Sequence, residues 1–102
     1  MNDIELAKND DLNRYEVHVD GKLAGFADYR VRNSGVAFTH TEVSPEYGGR
    51  GLGSKLAKFG LDDVRAMGTH AIPFCPFISA YIRERPEYLD LVEESRRPTF
   101  SL

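Results

Sequence analysis

Four glycines crowd into six positions in Gly48-Gly49-Arg50-Gly51-Leu52-Gly53, and Ser54-Lys55 lead on into an amphipathic run. Glycine has no Cβ, so such a loop can take positive φ and bring its backbone close to a ligand. The first turn of a following helix adds free N–H donors and a positive dipole end. The chemistry this predicts is capture of a phosphate or pyrophosphate by Gly48 to Ser54. The other reading is a tight turn and helix cap that uses glycine for geometry alone. Two phosphate loops are excluded by detail. A P-loop needs lysine before the hydroxyl residue, and here Ser54 precedes Lys55. A dinucleotide fingerprint on Gly49 and Gly51 would place its third glycine at Ser54 and an acidic residue about twenty positions on. Asp62 and Asp63 come too early.

A second group of residues carries reactive side chains. Cys75 precedes Pro76, which suits the first position of a helix. A helix dipole and unpaired N–H groups there would favour thiolate over thiol. A lone cysteine is otherwise a small buried hydrophobe. Glu42 alternates to the same side of an ideal strand as His40, so it could orient the imidazole or serve as base; a bulge would overturn that parity.

The elements that must position these residues are legible from pattern. Asn13 to Asp20 alternates around Tyr15, Val17 and Val19, and Asp20-Gly21 marks a tight turn into a strand from Lys22 to Arg32. Asn33-Ser34-Gly35 is a second turn and Val36 to Val43 a third strand, with a short strand at Ile4 to Ala7. Leu52, Leu56, Phe59, Val64 and Met67 then recur near helical spacing, and Gly68 ends that helix. His70 to Phe74 is a short strand. Pro76 opens a second helix through Phe77, Ile78, Tyr81 and Ile82, which Pro86 stops. Tyr88, Leu89, Leu91 and Val92 fold back on the core. Residues 93–102 are too polar and short to demand order.

Composition excludes more than it assigns. A chain of 102 residues with no Pro/Ser-rich linker fits one small domain, and its net charge of −3 gives no general attraction to nucleic acid. Only Arg50, Lys55 and Lys58 gather near the loop, where they could meet phosphates or simply form a solvated helix face. One cysteine rules out an intrachain disulfide, and His18, His40 and His70 are scattered too far apart to show metal spacing. With no apolar run of membrane-spanning length and no secretory pattern at Met1, a cytoplasmic protein without membrane partners is expected.

The stretch from Val43 to Leu56 resembles the acetyl-CoA pyrophosphate motif of the GNAT superfamily of N-acetyltransferases, Q/R-x-x-G-x-G/A at a strand-loop-helix junction. Gly51 and Gly53 match its two small positions, and Gly48 occupies the Q/R position. Cys75-Pro76-Phe77, Tyr81-Ile82, Arg85-Pro86-Glu87-Tyr88 and His40-Thr41-Glu42-Val43 resemble the miniature single-domain branch called yjdJ-type. The resemblance implies an α/β (α+β) GNAT-like fold: an antiparallel β-meander, glycine loop, helix, strand, helix. It implies one domain over residues 2–94 and a short polar tail over 95–102. Acetyl-CoA would be bound by Val43 and by Gly48, Gly49, Arg50, Gly51, Leu52, Gly53 and Ser54, without a metal. The sheet would splay near Val43 and Phe74 to admit pantetheine. Cys75 would lie near the acyl end, His40 would be its partner or a base, and Tyr81 would protonate the departing thiolate, unless it only packs the core. The implied reaction acetylates an amine, by direct attack or through acetyl-Cys75. A CoA-binding module with little catalysis and an interaction domain without cofactor are the rival readings.

Overall fold

The computed structural model describes residues 3–102, so the expected domain start at residue 2 lies outside the described residues. Strands β1 (Ile4–Asn9), β2 (Arg14–Val19), β3 (Lys22–Arg32) and β4 (Gly35–Val43) form an antiparallel meander, and β5 (Ala71–Pro73) joins β4 in parallel. The β2–β3 hairpin follows from its two-residue turn. Asp20 and Gly21 have φ of 51° and 81°, and a type I′ turn demands positive φ at both positions. Alternation then sends Tyr15, Val17 and Val19 into the core, with Arg14, Glu16 and His18 on the other face of the sheet.

Helix α1 (Leu52–Met67) covers the core face with Leu52, Leu56, Ala57, Leu61 and Val64. Helix α2 (Pro76–Glu84) starts on Pro76, as expected, and buries Ile78, Tyr81 and Ile82. The meander, glycine loop, helix, strand and helix therefore appear in the order read from the sequence. Strand β5 is shorter than the His70 to Phe74 expected.

Two 3₁₀ helices finish the chain, Pro86–Leu91 and Glu94–Phe100. The second occupies the segment expected to make no demand for order. Its tethers come from distant residues. The Arg83 guanidinium donates to the carbonyls of Phe100 and Ser101 at 2.9 and 3.0 Å, Arg96 donates to Ser34 Oγ at 3.3 Å, and Phe100 meets Phe74 edge to face at 5.6 Å.

The feature that shapes the site is a fork. Strand β5 pairs with β4 only at Val36, Ala37 and Phe38, whereas β4 runs on beside β3 as far as Val43. The last bond across the fork is from the Cys75 N–H to the Phe38 carbonyl, at 2.8 Å. The strands thus part at Phe38, earlier along β4 than the Val43 expected.

Candidate functional site

The glycine loop follows a single 3₁₀ turn, Pro45–Tyr47. Gly49 and Gly51 have φ of 78° and 71°, while Gly48 has an ordinary φ of −62°. Gly51 is the N-cap of α1, and its carbonyl accepts the first helical bond, from the Lys55 N–H at 3.1 Å. No side chain caps this end, so the N–H groups of Leu52, Gly53 and Ser54 have no acceptor within the helix. They border a groove of about 240 Å³ whose other walls are Val43, Tyr47 and Phe77. A Cβ on Gly49 or Gly51 would meet nothing within 4 Å, so an incoming anion has room there.

Phe77 was not foreseen as part of this site. A Cβ on Gly53 would fall 2.8 Å from its ring, so the second small position of the motif is what lets Phe77 lean over the helix terminus. The available signal was its position: Phe77 lies off the buried stripe of Ile78, Tyr81 and Ile82. On the far wall, the Arg50 guanidinium lies 5.5 Å from the centre of the Tyr47 ring. Lys58 is engaged elsewhere, bonded to Asp62 at 2.8 Å. A larger groove of about 380 Å³ opens between β1 and α1, but neither the loop glycines nor the fork residues line it.

At the fork, the Cys75 thiol is buried and donates to Thr41 Oγ1 at 3.4 Å. The Ser44 N–H bonds back to Ala24 of β3 at 2.8 Å, and alternation along β4 then turns the backbone groups of Thr41 and Val43 away from β3, into the opening. The register shift between β3 and β4 falls at Thr39, before His40, so the expected parity survives. His40 Nε2 and Glu42 Oε1 lie 3.2 Å apart. Both side chains are exposed on the sheet face away from α1. The His40 ring is 6.2 Å from that of Phe26, over which the Arg14 guanidinium sits at 4.8 Å.

Arg14 is held by Glu16 at 2.6 Å, and Asn9 and His18 also reach that carboxylate, each at 3.0 Å. Burial alone would push the Glu16 carboxyl up. The hydrogen bonds from Arg14 and Asn9, with the nearby positive charge, outweigh burial and hold it below its ordinary value.

The structure thus joins Glu42 to His40 and Thr41 to Cys75, but it does not join His40 to Cys75. The two lie on opposite sides of β4, because neighbouring residues of a strand face opposite ways. Tyr81 is 7% exposed, its ring 5.9 Å from that of Tyr88 and 4.2 Å from the Arg85 guanidinium. These contacts are those of a packing residue at the junction of α2 with the first C-terminal 3₁₀ helix. Among the described residues, no group of three or more histidine, cysteine or acidic side chains is placed to hold a metal ion. Among the same described residues, no helix is long and apolar enough to cross a membrane.

Residues 14–91 fit the model of the GCN5-related N-acetyl-transferases. The chain belongs to this family. As a GCN5-related N-acetyltransferase it is similar to Protein NATD1 of Mus musculus and of Homo sapiens, 38% identical to each over 60 residues. That stretch is 57% of this chain, and 54% and 53% of those proteins, so the chain spans about half the length of the curated relatives it matches. The NMR structure of a Staphylococcus aureus protein described as a GCN5-like N-acetyltransferase superposes with a TM-score of 0.69 at 26% identity, over 91% of each chain. This likeness establishes the α/β acetyltransferase fold.

Proposed function

We propose that this protein is a small, single-domain yjdJ-type enzyme that moves an acetyl group from acetyl-CoA to a primary amine. The observation that carries the proposal is the parting of β4 from β5 beside the uncapped N-terminus of α1. The residues present suit the cofactor. The amides of Leu52, Gly53 and Ser54 match a pyrophosphate, since they are uncapped donors at a positive dipole end with open space beside Gly49 and Gly51. The backbone groups of Thr41 and Val43 offer a strand-like edge to the pantetheine amides, and Phe77 and Tyr47 form walls around the groove. Acetyl-CoA supplies the activated acyl group.

The residues of this chain then divide the remaining work by face. Cys75 and Thr41 lie on the core side of the fork, where they pack beside the thioester. His40 stands on the open side, where an amine can approach, and takes the proton from nitrogen as the C–N bond forms and the C–S bond breaks. Glu42 holds the imidazole. Direct attack by the amine is favoured over an acetyl-Cys75 intermediate, because the thiol's neighbour is the Thr41 hydroxyl and not an imidazole.

Calorimetry with acetyl-CoA, followed by turnover with a panel of amines, tests this reading. Submicromolar to micromolar binding and amine-dependent release of CoA are expected, with no hydroxylamine-sensitive acetyl group on Cys75. Tight binding with no turnover across the panel would leave a CoA-binding module instead. Absence of binding would remove the cofactor from the account altogether.

A further inference from the structure

The sheet face away from α1 is covered at one end of β4 and bare at the other. Ala37 and Ile72 pair across β4 and β5 on that face, yet they are 0% and 1% exposed. The C-terminal segment crosses this end, anchored by Arg96 on Ser34 and by Phe100 on Phe74. Beyond it lie His40 and Glu42, bare to solvent. Phe74 marks the boundary. It stands between Pro73, the last β5 residue paired with β4, and Cys75, whose N–H makes the last bond across the fork. Its side chain is half exposed, at 50%, where the two strands part.

Resting on the acetyltransferase reading above, we infer that Phe74, braced by Phe100, is the apolar wall of the acceptor site, and that the acceptor is a primary amine borne on an apolar or aromatic skeleton. The amine end meets His40 and Glu42 while the carbon skeleton lies against the Phe74 ring. Edge-to-face contact with Phe100 and the two carbonyl bonds from Arg83 fix that ring in advance, so little freedom is lost when the amine arrives. Arg83 spends two of its five N–H donors on neutral carbonyls and keeps its positive charge beside Phe100. A second cationic group on the acceptor would be repelled there, which separates an apolar monoamine from a polyamine.

The test is chemical-shift mapping on the full ¹⁵N-labelled chain, with and without CoA, titrated with 2-phenylethylamine and separately with 1,4-diaminobutane. Saturable shifts of the Phe74, Cys75 and Phe100 amides with 2-phenylethylamine are expected, with the diamine weaker. Phe74→Ala should weaken 2-phenylethylamine about tenfold and Phe74→Leu much less, since an apolar contact is what is lost. Phe74→Leu keeps an apolar partner for Phe100 and so controls for any loosening of the C-terminal segment in Phe74→Ala, and Phe100→Ala should reproduce part of the loss. Shifts that cluster elsewhere or do not occur, a diamine that binds as tightly, or a Phe74→Ala affinity within about twofold of the parent would overturn the inference. CoA titrated alone reports on the parent reading independently: if CoA fails to shift the glycine loop, that reading falls while the amine titration still decides this one.

Discussion

The two ends of α1 are marked by the same residue in the same conformation, yet they are finished differently. Gly51 and Gly68 both have φ of 71°. At the C-terminal end the Gly68 N–H bonds to the carbonyls of Arg65 and Val64, which closes the helix on itself. At the N-terminal end no side chain caps the free amides, although serine, threonine, asparagine or aspartate at Gly51 would have supplied an acceptor. Identical backbone geometry thus serves closure at one end and access at the other. The open end is the one that faces the groove beside β4.

Parallel substitutions would break or sharpen that contrast most directly. Gly51→Val and Gly68→Val should each cost about 1–2 kcal/mol of folding stability, because both force a β-branched residue into positive φ. Only Gly51→Val should also lower acetyl-CoA affinity, by about a hundredfold, as the amides turn away from the phosphates and charge-assisted bonds are lost. Thermal melts and calorimetry on the pair separate the two effects. Equal CoA affinity in both variants would erase the distinction between the ends.

The same contrast of open and closed extends to β4. His40 is on the open side, and His40→Ala should lower kcat about a hundredfold with cofactor affinity unchanged, whereas Cys75→Ala, on the closed side, should leave kcat nearly intact. A kcat that collapses in Cys75→Ala would restore the covalent route. Glu16 is the fully closed case, a buried carboxylate that accepts from Arg14, Asn9 and His18. Its carboxyl is held below the ordinary value, so its contribution to stability is present above the ordinary carboxylate range and is lost as pH falls through the lower folded value. Glu16→Gln should flatten the acid limb of stability against pH, measured by urea midpoints from pH 6 to about pH 2. The smallest effect belongs to Arg50→Ala. It should weaken CoA about two- to threefold at low salt and hardly at all at high salt, since an exposed charge is screened.

What could be read in the sequence was local. Asp20-Gly21 fixed its hairpin, Pro76 and Gly68 set helix ends, and the Lys22 to Arg32 strand appears with those limits, because each depends on φ preferences of adjacent residues. The pairing of His40 with Glu42 was also accessible, since strand alternation survived the bulge at Thr39. The separation of Cys75 from His40 was not, because it depends on which side of β4 the second helix docks. Phe77 and the C-terminal 3₁₀ helix escaped for the same reason. Their partners Gly53, Phe74, Arg83 and Ser34 are distant in the chain, and no periodicity announces them.

The fork between β4 and β5 has a thermodynamic consequence. A sheet left unzipped over several residues gives up bonds that a neighbouring strand would otherwise have made, and a ligand seated there restores them only in the native state. Occupancy and unfolding are then linked. At a free acetyl-CoA concentration one hundred times its dissociation constant, the native state would gain about 2.7 kcal/mol. For a domain of this size that is a melting temperature higher by roughly 10 °C or more. If acetyl-CoA binds as proposed, resistance of this chain to proteolysis should rise with the free concentration of acetyl-CoA, because cleavage tracks the population of the opened state.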